Sequence, residues 1–166
     1  MTAPIIITIL GKAASYQKSV MSWHSRDGRS GTHAYDKKSY ADWRSYARGQ
    51  AADQYAGRPI IEGAVEIVVD IFREIPKGFS QKKTRLALTG TLRPLARPDV
   101  SNILKSVEDS CLTGIVIRDD SRIVSATVEK WYSDKPRVEI QVKELRPEMS
   151  LFAPSAPQSN AKGETE

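Results

Sequence analysis

The segment from Arg97 to Ile123 places a helical pattern directly before a strand pattern. Apolar residues recur in it at three- and four-residue spacing, which predicts a helix over 99–112 with one buried side. That side is predicted to contain Val100, Ile103, Leu104, Val107 and Cys111. The other side is predicted to expose Asp99, Asn102, Lys105, Ser106 and Asp109. Gly114 then breaks the helix, and Asp119 and Asp120 stand at the start of the next strand.

The remaining segments alternate between helix and strand patterns. The predicted class is therefore α+β, with a small mixed β-sheet and two main amphipathic helices. A second long helix is predicted over 37–56 and a short one near 80–88, whereas residues 11–35 are predicted to form a long loop. Strands are predicted at 5–10, 64–73, 122–132 and 137–142. The last two are predicted to pair with each other through a turn at 133–136.

The distribution of charge divides the chain into a basic body and an acidic end. The net charge of the 166 residues is +5, and residues 144–166 are net acidic, so the body over 1–143 is more basic than the whole. A basic body suits a polyanionic partner, and solubility alone is the alternative explanation. Pro, Ser, Ala and Glu dominate 144–166, which predicts a disordered tail after a single domain over 1–143.

The apolar pattern predicts neither a membrane span nor a secretory leader. The chain contains no run of eighteen apolar residues. The apolar stretch at 5–10 is short and has no positively charged residues before it. Cys111 is the single cysteine, so no internal disulfide can form. These features favour a reducing, cytoplasmic setting and no membrane partner.

Each polar residue near the predicted helix has a plain structural interpretation. Asp99 follows Pro98 and would serve as an N-cap. Lys105 and Asp109 are spaced as a surface ion pair, which contributes about 0.3–0.5 kcal/mol. The pair at 119–120 would suit a turn before a strand. Taken one at a time, these interpretations are sufficient.

Taken together, the acidic residues suit a hard divalent cation. They flank one short helix and the turn after it, so the fold can bring them together. Mg²⁺ prefers oxygen ligands, usually one or two carboxylates with waters and phosphate oxygens. Such an ion activates water and stabilises charge on a phosphate, and a nearby lysine adds a further positive charge. Asp119 and Asp120 are adjacent and point to opposite faces of a strand, so they are not both expected to bind the ion directly.

The order of these residues resembles the RusA family of Holliday-junction resolvases, which are common in phages and prophages. The resemblance covers roughly residues 5–143 and includes the apolar strand followed by Gly11 and Lys12. The residues that match its motifs are Pro98, Asp99, Asn102, Lys105, Asp109, Leu112, Gly114, Asp119, Asp120, Ile123 and Lys130.

The resemblance implies a fold, a reaction and a set of site residues. The fold is a RusA-like homodimeric α+β domain. The reaction is Mg²⁺-dependent cleavage of four-way DNA junctions at paired positions, with Mn²⁺ as an alternative ion. The setting is DNA recombination and repair in the bacterial cytoplasm, with the chain encoded by a phage or prophage. The implied catalytic residues are Asp99, Lys105 and Asp120, and the metal-binding positions are Asp99, Ser101 and Asp120, with Asp119 as a further candidate.

Ser101 departs from the family pattern, which usually has Asp at this position. A neutral serine cannot replace the lost negative charge, so weaker metal binding is expected. Asp109, Asp119 or a water would then have to compensate. The alternative function is a junction-binding protein whose catalysis is weakened or lost. A third alternative is a structural or regulatory phage-type protein without affinity for nucleic acids.

Basic residues outside the helix are predicted to contact phosphates without sequence preference. The predicted DNA-binding residues are Lys12, Lys18, Lys77, Lys82, Lys83, Arg85, Arg93, Arg97, Asn102 and Lys130. The loop aromatics Tyr16, Trp23 and Tyr35 would either stack on unpaired bases or pack over the edge of a core. Cys111 lies on the apolar stripe and is predicted to be a core residue.

Overall fold

The computed structural model describes residues 3–16 and 18–145. Its strands are β1 (Ile5–Leu10), β2 (Lys18–His24), β3 (Ser30–Asp36), β4 (Ala64–Glu74), β5 (Ile123–Ser133) and β6 (Arg137–Leu145). Its helices are α1 (Lys38–Tyr55), α2 (Gln81–Leu88) and α3 (Val100–Val107). A π-helical turn (Glu108–Leu112) continues α3, and a 3₁₀ turn (Asp120–Arg122) precedes β5. The α+β class and the mixed sheet are confirmed.

Four strands form the sheet in the order β1-β6-β4-β5. β4 lies in the interior, antiparallel to β6 and parallel to β5. The predicted pairing of the last two strands with each other is therefore wrong, because β4 lies between them. β4 buries every second side chain on the core face of the sheet, as a strand does; these side chains are Val65, Ile67, Val69 and Ile71. β4 is also hydrogen-bonded to a neighbouring strand on each side.

The core lies between one face of this sheet and the helices. The buried residues of α1 are spaced three or four apart, as expected of an amphipathic helix; they are Tyr40, Trp43, Ala47, Ala51 and Tyr55. Ile103 and Val107 of α3 enter the same core, and Cys111 and Leu112 follow from the π-helical turn. The core position predicted for Cys111 is confirmed. None of the helices in the described residues is long and apolar enough to span a membrane.

Residues 18–36 form a β-hairpin, so the prediction of a long loop over 11–35 is wrong. β2 and β3 pair from Lys18 opposite Asp36 to His24 opposite Ser30. At the tip, the backbone N–H of Ser25 donates to the carbonyl of Arg29 at 2.7 Å. Gly28 has a φ of +85°, which glycine adopts without strain. Asp27-Gly28 is a common hairpin-turn pair that the polar composition of the segment obscured.

β6 extends beyond the predicted domain boundary and includes Glu144 and Leu145. The remainder of the predicted tail, residues 146–166, lies outside the described residues. The side chains of Lys18, Trp23 and Tyr35 are also outside the described part, so their predicted contacts with DNA stay predictions.

Candidate active site

Asp99 occupies the N-cap position of α3 but does not use its side chain as a cap. Its backbone is extended, with φ −72° and ψ 151°, and the helix begins at Val100. Its carbonyl accepts the first helical hydrogen bond from the N–H of Ile103 at 3.2 Å. The carboxylate makes no capping hydrogen bond, and the residue is exposed. The carboxylate is therefore available to a ligand at the helix start.

Lys105 brings two carboxylates from separate segments together. Its Nζ lies 2.9 Å from Oδ1 of Asp109 in the π-helical turn and 3.1 Å from Oδ2 of Asp120 in the 3₁₀ turn. Both carboxylates thus face one small cationic group. The three side chains are 41%, 30% and 54% exposed, so each pair contributes at most about 1 kcal/mol to stability. The arrangement is open to solvent and can be rearranged at low cost.

Electrostatics keep Lys105 charged. The hydrogen bonds that the Lys105 ammonium donates to Asp109 and, second in size, to Asp120 raise the pKa of Lys105 well above its ordinary value. The pKa of the neighbouring Glu108 is also raised, mainly by burial, but for a carboxyl a raised pKa disfavours the charged form. Sequence inspection missed Glu108, since nothing in the local pattern shows that the π-helical turn partly buries it.

The adjacent residues Asp119 and Asp120 have different partners. Oδ1 of Asp119 accepts from the N–H of Ser121 at 3.0 Å and from the hydroxyl of Ser121. The Ser121 side chain is the largest cause of a lowered pKa at Asp119. Asp119 therefore caps the turn that presents Asp120 towards Lys105. Its own predicted role as a metal ligand stays a prediction.

A second group of predicted residues lies at the start of α3. Arg97, Pro98, Asp99 and Asn102 line a hollow of about 290 Å³ together with Ser15, which the sequence did not suggest. The carbonyl of Asn102 accepts from the N–H of Tyr16 at 3.0 Å, which attaches the segment after β1 to α3. Ser101 lies exposed in the first turn.

The structure thus brings Lys105, Asp109 and Asp120 together, and Arg97, Asp99 and Asn102 line a hollow at the start of α3. Within residues 3–16 and 18–145, no group of three or more His, Cys, Asp or Glu is placed to hold a metal ion. The donor chemistry nevertheless fits Mg²⁺, which usually uses one or two carboxylates and retains waters. The Lys105 ammonium stands where the carboxylates of Asp109 and Asp120 converge.

Most of the predicted DNA-binding cations that the structure describes are exposed, and some of them also contact other groups of the protein. Exposed ones are Lys77 and Arg97, with Lys82, Lys83 and Arg85 on α2. Three others have protein partners. Lys12 pairs with Glu74. Arg93 lies 3.2 Å from the centre of the Trp131 ring. Lys130 donates from Nζ to two backbone carbonyls.

Comparison with known proteins identifies the family. The family model described as Endodeoxyribonuclease RusA matches residues 17–143, which include the hairpin, all three helices and the 3₁₀ turn with Asp120. The chain is also 41% identical over 96 residues to "Uncharacterized protein YqaN" of Bacillus subtilis (strain 168), a match that covers 57% of this chain and 67% of that protein. Because the family model spans more than half of the chain, this chain belongs to the RusA family of endodeoxyribonucleases.

Proposed function

We propose that this protein hydrolyses phosphodiester bonds of four-way DNA junctions with the help of Mg²⁺, Mn²⁺ being an alternative ion. The observation that carries the proposal is the meeting of Asp120 with Lys105 and Asp109. Carboxylates from a helix end and a strand start face one cation on an exposed surface. In an endodeoxyribonuclease family, such an arrangement suits phosphoryl chemistry.

The residues have separate roles in this proposal. Asp99 and Asp120 would hold the divalent ion, with Ser101 or Asp119 as further oxygen donors. The bound ion supplies an activated water and stabilises charge on the phosphate. In the free protein, Lys105 stays protonated because both carboxylates raise its pKa. Released from the carboxylates, its ammonium binds a phosphate oxygen as negative charge develops there.

The exposed cations supply the affinity for DNA. Lys82, Lys83 and Arg85 lie on α2, and Lys77 lies just before it. Their contacts would be to phosphates, so binding is expected to weaken steeply with salt. A homodimer with two-fold symmetry would present two active sites to two strands of the junction. The expected setting is recombination and repair in the bacterial cytoplasm, with a phage or prophage origin.

Cleavage of a synthetic junction tests the proposal. The purified protein is incubated with a labelled four-way junction in Mg²⁺, and a linear duplex of the same sequence serves as the control. Paired nicks in the junction, absent with chelator and rare in the duplex, are the expected result. Absence of cleavage across a wide range of Mg²⁺ and Mn²⁺ concentrations would count against the proposed activity.

A second candidate function is junction binding with weakened or lost catalysis. The observation that favours it is the neutral, exposed Ser101, together with the lack of a three-carboxylate group among the described residues. This candidate retains the basic surface of α2 and predicts tight, salt-sensitive binding without product.

Ser101→Asp distinguishes these two functions. An added carboxylate in the first turn of α3 should strengthen metal binding, and even 1.4 kcal/mol changes an affinity about tenfold. If the wild type cleaves, we expect the half-saturating Mg²⁺ concentration for cleavage to fall by about that factor. If the wild type only binds the junction, Ser101→Asp should switch cleavage on. Ser101→Asn, which adds similar bulk without charge, is the matched control. If Ser101→Asp leaves both the metal requirement and the rate unchanged, position 101 does not limit this site.

A further inference from the structure

The segment directly before Asp99 is held by two cations from the sheet. Nη1 of Arg73 donates to the carbonyl of Ala96 at 3.0 Å and to that of Arg97 at 2.5 Å. Nζ of Lys130 lies 3.2 Å from the carbonyl of Ala96 and 3.3 Å from that of Pro98. Three consecutive carbonyls, at 96, 97 and 98, therefore accept hydrogen bonds from charged donors.

Both cations come from neighbouring parallel strands. Arg73 is on β4 and Lys130 is on β5, where it pairs with Ile71. Hydrogen bonds from ionised donors are roughly twice as strong as those between neutral groups. The carbonyls are thereby attached to two strands of the sheet, one of which is an interior strand.

The earlier part of the same segment is attached to β5 as well. Nε of Arg93 donates to the carbonyl of Lys130 at 2.6 Å, and its guanidinium stacks on Trp131. The connection from Arg93 to Pro98 therefore contacts β5 near both of its ends. This leaves little freedom to the backbone that leads into α3.

We propose that Arg73 and Lys130 are positioning residues for the carboxylate of Asp99. The side chain of Asp99 makes no capping bond, so the backbone before it sets its direction. The hydrogen bond from Lys130 to the carbonyl of Pro98 fixes the orientation of that backbone. The inference rests on the proposed role of Asp99 in metal binding. It also gives Lys130 a role other than the DNA contact expected from the sequence, because its ammonium is occupied by main-chain oxygens.

Hydrogen–deuterium exchange on the free protein tests whether the cations hold this segment. Lys130→Met should accelerate amide exchange in peptides covering 95–104 by about fivefold or more, because the segment opens locally. Peptides covering α1 should not change. Lys143→Met is the matched control, since Lys143 is exposed on β6 and pairs with Glu66. Unchanged exchange at 95–104, or acceleration across the whole chain, would overturn the positioning role.

A metal titration tests the consequence for Asp99. In Lys130→Met and Arg73→Gln, Mn²⁺ binding measured by electron paramagnetic resonance should weaken by about tenfold, as for other groups that orient metal ligands. Junction affinity in Ca²⁺ and its salt dependence should stay unchanged. Lys130→Arg, which keeps a charged donor, should recover most of the Mn²⁺ affinity. Should Lys130→Met fail to fold, Lys130→Gln serves in its place.

The outcomes separate this inference from the proposed function. If Mn²⁺ affinity is unchanged and the salt slope of junction binding falls by about one, Lys130 is a phosphate contact and the inference is wrong. If wild type binds Mn²⁺ but cleaves no junction, the proposed activity fails, and the exchange and Mn²⁺ results still decide the positioning role.

Discussion

Asp120→Asn should reduce junction cleavage by about 10³-fold or more and leave the fold intact. The amide keeps the size of the side chain and removes the charge that would hold the ion. An ion contributes several kcal/mol to transition-state stabilisation, and each 1.36 kcal/mol is a factor of ten in rate. The ion pair with Lys105 is exposed, so its loss costs at most about 1 kcal/mol of stability. Single-turnover cleavage and thermal melting measure the two effects.

Asp134→Asn is the control for the charge change, because Asp134 is exposed in the turn between β5 and β6. It should cleave at the wild-type rate. Junction binding in Ca²⁺ should survive in both variants. If Asp120→Asn cleaves at the wild-type rate, Asp120 is not a ligand of the proposed metal site.

Lys105→Met should separate metal binding from cleavage. Cleavage should fall by about 10²- to 10³-fold, the usual loss when one preorganised charge-stabilising group is removed. Mn²⁺ affinity should stay the same or increase, because the ammonium that faces Asp109 and Asp120 no longer competes with the ion. Isothermal titration with Mn²⁺ and single-turnover cleavage are measured on the same preparation.

The pH dependence gives an independent check on Lys105. The folded-state pKa of Lys105 is raised, so its charge and its ion pairs are fully present below the ordinary lysine value of about 10.4 and are lost only above it. The wild-type rate should therefore show no fall between pH 7 and about pH 9.5 from this group.

A parallel loss of Mn²⁺ affinity and cleavage in Lys105→Met would contradict the assigned role of Lys105.

Local periodicity was sufficient to predict the helices and most strands. In α1 the spacing of Tyr40, Trp43 and Ala47 places all three in the core. The four-residue spacing of Lys105 and Asp109 likewise predicts their contact, because such residues are neighbours on a helix surface. These features depend on residues that are close in sequence, so a single sequence is enough to predict them.

Contacts between distant segments could not be predicted in the same way. The meeting of Lys105 with Asp120 joins residues fifteen apart and depends on the π-helical turn and the 3₁₀ turn between them. The contact of Arg73 with the carbonyls of 96 and 97 joins two elements through the sheet, and no motif marks it. Strand order is a tertiary property as well, so the place of β4 between β5 and β6 was missed.

The most direct test of the proposed metal site is a crystal structure with Mn²⁺ and its anomalous difference map. We expect an ion bound by carboxylate oxygens of both Asp120 and Asp99, as a hard divalent cation prefers. We also expect Nζ of Lys105 to have moved away from Asp120. An ion that binds without Asp120, or no ion at saturating Mn²⁺ with Lys105 still bridging the two carboxylates, would contradict the proposed metal site.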